Sequence, residues 1–155
     1  MLDRGTVETQ RKLRRGTLER LKERRILQPQ QGDAADEIER VYLSIVGSLM
    51  PAGMAWERRD MAHRDAGLVV PPRLRYAYRQ RYLPWAVSLA RAKGVGGPPV
   101  FDTVIDVVIN GVTAATLDRA RRVREGTSAR WLLYGLNRYA QLAGWLQSGR
   151  ERAIA

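Results

Sequence analysis

The sequence predicts an all-α fold: one helical domain of five or six helices. Three observations carry that expectation. Apolar residues recur at helical spacing over 34–49, 72–91 and 127–146. The one β-branched run, Phe101 to Asn110, has no second convincing strand to pair with. The length of 155 residues suits one domain, and such a globule buries roughly 70% of its unfolded surface without disulfides or metals.

The elements follow in order. Residues 1–16 form a basic segment expected to be flexible, and Thr17 is placed as the N-cap of a short helix running to Arg25. Gln28 to Gly32 reads as a loop. Asp33 then caps a helix over 34–49, whose apolar stripe includes Ile38, Val41, Tyr42, Ile45 and Leu49. Residues 51–71 are irregular, with Met54, Trp56, Met61 and Leu68 available to the core and Arg58, Arg59 and Arg64 left in water. Pro71-Pro72 opens the next helix, striped by Leu74, Tyr78, Tyr82, Trp85 and Leu89. Pro84 is expected to kink or split it near Tyr82–Leu83. After the loop Gly94–Pro99, Asp102 and Asp106 lie four apart, which makes 101–110 a helix ended by Asn110-Gly111. Thr113 caps a short helix to Arg121. Thr127 or Ser128 caps the last helix, which turns Trp131, Leu132, Leu136 and Tyr139 inward. The domain spans 17–147 and leaves a tail at 148–155. The predicted core is Ile38, Val41, Ile45, Leu49, Tyr78, Trp85, Leu117, Leu132 and Leu136.

Composition narrows function. There are 27 Lys+Arg against 16 Asp+Glu, a net charge of +11. That excess points to a polyanion, nucleic acid before an anionic membrane. With no cysteine, thiol catalysis, disulfides and cysteine zinc sites are excluded. A single histidine, His63, rules out a multi-histidine metal site; in its arginine-rich setting it reads as a surface residue. The Gly94–Gly97 run lacks the Lys-Ser/Thr of a phosphate loop. The expectation is therefore no enzyme, no cofactor and no metal. No 18-residue apolar stretch or signal-type leader stands out, so a bacterial cytoplasmic location is expected, without membrane association.

The strongest functional signal is the last trio of helices, within 101–146. Their order and lengths match a helix-turn-helix unit, whose third helix meets the DNA major groove by its N-terminal end. Between residues 119 and 130 there are five arginines and one acid, Glu125. The candidate nucleic-acid-binding residues are Arg119, Arg121, Arg122, Arg124, Thr127, Ser128 and Arg130, with Arg130 placed to reach a base edge. A secondary basic surface comprises Arg73, Arg75, Arg79 and Arg81, interleaved with Tyr76, Tyr78 and Tyr82; it reads first as the wet face of an amphipathic helix. Residues 1–40 hold ten basic and eight acidic groups, too balanced for a nucleic-acid arm.

The order of features resembles an uncharacterised alphaproteobacterial and phage-like family of helix-turn-helix-like regulator domains, related to domains in activators of gene-transfer agents. The resemblance covers 17–145. It rests on Leu18 to Arg25, Ala34 to Leu49, Trp56, Arg73-Leu74-Arg75-Tyr76-Ala77, Val104 to Val108 before Gly111, and Thr127 to Leu133 continuing through Leu136 to Gly144. The chain departs from the family at Pro84, and at Arg124-Glu125-Gly126, where a tryptophan-proline pair is usual. The resemblance implies transcription control in contact with RNA polymerase; the expected partners are duplex DNA and RNA polymerase or a second regulator. Alternatives from the sequence are an interaction module for polymerase or another regulator with little DNA affinity, and a phage DNA-packaging or structural component.

Overall fold

Six helices share one hydrophobic core in the computed structural model, which describes residues 16–48 and 70–146. They are α1 (16–23), α2 (Pro29–Ser48), α3 (Pro72–Lys93), α4 (Val100–Val108), α5 (Ala114–Arg121) and α6 (Thr127–Leu142). No strand occurs among the described residues, and the Phe101–Asn110 run is helix through Val108. The expectations placed on residues 1–15, on Leu49, on the 51–69 stretch with His63, and on 147–155 lie outside the described residues.

The central element is α6, which touches α2, α3, α4 and α5. It buries Leu132, Gly135, Leu136, Tyr139 and Ala140. A β-carbon at Gly135 would lie 2.5 Å from Val104 Cγ2 and 3.1 Å from Val100 Cγ1. Glycine therefore sets how closely α4 approaches α6. On α3, the fully buried Trp85 donates its indole N–H to the Gly135 carbonyl at 2.8 Å. Trp85 is also the hub of an aromatic cluster formed by Tyr82, Phe101 and Tyr139.

Several boundaries differ from the sequence reading, each for a local reason. Helix α2 begins at Pro29, four residues before Asp33. Pro29 occupies the first turn, where no N–H is needed, and the Gln31 side chain accepts from the Gln28 amide at 2.8 Å, half of a capping box. Thr17 is not an N-cap; it lies within α1 and donates to the Gly111 carbonyl at 3.0 Å. In α3, Pro84 does not split the helix; the change in winding falls at Tyr82–Leu83, the place where a kink or split is expected. The turn Tyr78–Tyr82 is π-helical, and the Leu83 amide bonds back to the Tyr78 carbonyl. The wider turn accommodates the proline ring and its missing N–H without breaking the helix. Helix α6 stops at Leu142 and not at 146, closed by Gly144 at φ 76°. There the Trp145 amide reaches the Ala140 carbonyl and the Gly144 amide the Gln141 carbonyl, a Schellman cap.

Of the predicted core, Ile38, Val41, Trp85, Leu117, Leu132 and Leu136 are buried, while Ile45 and Tyr78 pack partly buried against them.

Candidate nucleic-acid interface

The predicted site falls on the corner α5–turn–α6. Thr113 caps α5 as expected, accepting from the Thr116 amide at 3.2 Å. Helix α5 is closed by the C-cap residue Arg122 in the left-handed region at φ 55°, and five residues later α6 begins. The cap of α6 is neither Thr127 nor Ser128. It is Asp118, on α5, whose carboxylate accepts from the Gly126 amide at 2.9 Å and the Ser128 amide at 2.8 Å. Two of the donors that a helix start leaves orphaned are thereby satisfied by a carboxylate from the preceding helix. Asp118 is only 5% exposed. Ser128, then the Gly126 amide and the Arg121 charge, hold its carboxyl below the ordinary aspartate value against the cost of burial.

This clamp divides the predicted residues into two groups. Arg119, Arg122, Arg124 and Arg130 are exposed. Arg119 makes a 3.4 Å contact to Thr116 Oγ1; none of the four is paired with a carboxylate among the described residues. Thr127 is half-buried beside them. The other two residues serve the fold. Ser128 is 0% exposed, because Asp118 draws the first turn of α6 inward, and so it faces no partner. Arg121 turns back toward α4, donating to Thr103 Oγ1 and, at 3.2 Å, to Asp106 Oδ2, with its guanidinium over the Trp131 ring. It ties α5 to α4 instead of facing solvent.

The secondary surface divides similarly. Arg73 and Arg79 are exposed. Arg75 is exposed but hydrogen-bonded to the Val70 carbonyl at 3.2 Å. Arg81 is half-buried and paired: it donates to both oxygens of the buried Glu37 carboxylate at 3.1 and 2.9 Å, and lies over the rings of Tyr76 and Trp145. Tyr139 donates to the same carboxylate at 2.6 Å.

Asp118 escapes the sequence reading, because it acts across eight residues of chain with no local capping pattern.

Among the described residues no cluster of histidine, cysteine or carboxylate side chains could hold a metal ion, and no helix is long and apolar enough to cross a membrane. Comparison with protein-family models, curated proteins and solved structures finds no match to this chain.

Proposed function

We propose that this chain is a small DNA-binding transcription regulator of a phage-like or gene-transfer-agent-like gene cluster, acting on duplex DNA in the bacterial cytoplasm, associated with the nucleoid. One observation carries the reading: Arg119, Arg122, Arg124 and Arg130 stand exposed around a corner that Asp118 clamps. Phosphate binding needs uncompensated cations held in fixed positions. The net charge of +11 supports the same partner. The amides of Gly126 and Ser128 are already engaged by Asp118, so the corner meets phosphate through guanidinium groups and not through a free helix N-terminus.

The test is selection from a random duplex DNA library at two salt concentrations. A regulator enriches a defined site, and its affinity falls with salt by about 0.9 log unit per log unit for each phosphate neutralised. Arg122→Ala and Arg124→Ala should weaken binding to all sequences and flatten that slope. Arg130→Ala should cost about 1–3 kcal/mol and relax preference at one position. Arg121→Ala serves as the contrast, since it should lower the melting temperature first. Salt-sensitive binding without enrichment would replace the proposal with a packaging or architectural role. No binding would replace it with an interaction module for RNA polymerase or a second regulator.

A further inference from the structure

Because four other helices pack on α6, little of it faces outward. Arg130, Tyr134 and Gln141 are exposed and Arg138 is half-buried, at positions i, i+4, i+11 and i+8 of one stripe. The helix contains no acidic residue. Tyr134 is 53% exposed. Its ring and hydroxyl contact no other ring, cation or hydrogen-bonding group among the described residues. Other aromatic residues have structural work: Tyr78, Tyr82, Trp85, Phe101, Tyr139 and Trp145 form a chain of ring contacts, and Trp131 lies against Arg121. Tyr134 alone is held up on α6 between two arginines, neither of which has a carboxylate partner among the described residues.

We infer that Tyr134 is a specificity-determining residue of the DNA site, resting its ring on a thymine methyl group in the major groove beside the base edge that Arg130 reaches. This rests on the reading of the α5–α6 corner as a DNA interface. Only the outward stripe of α6 is left free by the flanking helices, so base contacts by this helix fall to the long side chains on that stripe. Arginine and tyrosine have that reach; the buried Ser128 does not. The thymine methyl is the apolar feature that the major groove offers, and an uncharged ring is suited to it. Four residues of helix advance about 6 Å. At 3.4 Å per base step along one strand, that places the positions read by Arg130 and Tyr134 about two steps apart. Arg138, a further turn along, supplies charge to the backbone at the groove edge.

The experiment uses the full chain. Sites are selected from a random duplex library with the wild type, Tyr134→Ala and Tyr134→Phe, and the wild-type site is then resynthesised with deoxyuridine replacing each thymine in turn. One replacement should weaken wild-type binding about fourfold, the worth of one buried methyl group. Tyr134→Ala should lose both that sensitivity and the preference at that position, while keeping the position read by Arg130 and the wild-type melting temperature. Tyr134→Phe should retain both. An unchanged selected site in Tyr134→Ala overturns the inference and leaves the regulator reading standing. Loss of preference in Tyr134→Phe equal to that in Tyr134→Ala also overturns it, by moving recognition from the ring to the hydroxyl. Preference for single-stranded over duplex DNA that depends on Tyr134 overturns it in favour of base stacking. A wild type that binds no DNA, or binds without sequence preference, removes the regulator reading and the inference together.

Discussion

Gly135 has no side chain, and its position in the fold depends on that. Its missing β-carbon is the space into which the Val104 and Val100 methyl groups of α4 fit, and its carbonyl receives the Trp85 indole. Gly135→Ala should destabilise the chain by about 1–3 kcal/mol, the usual cost of overpacking a close helix crossing, even though alanine favours helix. A chemical denaturation curve with a lowered midpoint checks this; an unchanged or raised midpoint would show that α4 yields easily. Nothing in one sequence marks Gly135 as the glycine at which two helices meet, since the cause is a contact across 31 residues of chain. The arginines show the same limit. Arg121 and Arg122 are neighbours of one chemistry, yet Arg121 binds Asp106 while Arg122 is exposed. Helical phase decides between them, and α5 ends at Arg121.

At the scale of elements, α4, α5 and α6 were legible because periodicity and the Asn110-Gly111 and Thr113 signals are local. The start of α2 and the start of α6 were less so. Pro29 and Gln31 do carry a capping signal, but the preceding Gln28 is a weak N-cap type and Gly32 reads as a breaker. The cap of α6 comes from another helix. The depressed pKa of Asp118 makes that cap pH-dependent in a known sense. A carboxyl that titrates below its ordinary 3.8 in the folded chain adds stability that is complete above the unfolded value and is lost as pH falls through the folded one. Wild-type thermal midpoints should therefore hold down to about pH 4 and fall below it. Asp118→Asn should start lower at neutral pH and lose less on acidification. Parallel curves for the two proteins would show that the carboxylate charge contributes nothing to the corner.

Over the whole molecule, the core was largely readable because buried apolar residues dominate it, whereas its polar centre was not. Glu37, Arg81 and Tyr139 come from α2, α3 and α6, and helical patterning assigns charged residues to the surface by default. Burial first, then the Glu37 hydrogen bond and charge, push the Tyr139 phenol far above the ordinary tyrosine value. Burial, with Tyr42 and Tyr78 adding, pushes Tyr82 up to about 12. Both phenols stay protonated in the folded chain where the unfolded chain ionises. Their contribution is thus complete below the ordinary value of 10.0 and declines as pH rises above it. Tyrosinate absorbance during alkaline titration should show these two groups ionising together with unfolding, at the same pH as loss of helical circular dichroism. Their ionisation while the helices remain intact would contradict the buried arrangement.

The Asp118 clamp has a thermodynamic consequence for any partner that meets the corner. Its two amide bonds pin the backbone on both sides of Thr127 before any encounter, so association has little of that turn left to order. The entropy lost on binding then comes from arginine side chains and from rigid-body freedom, offset by released counterions, and not from chain folding. Such an interface forms with a small heat-capacity change, set by the modest apolar area that guanidinium groups cover.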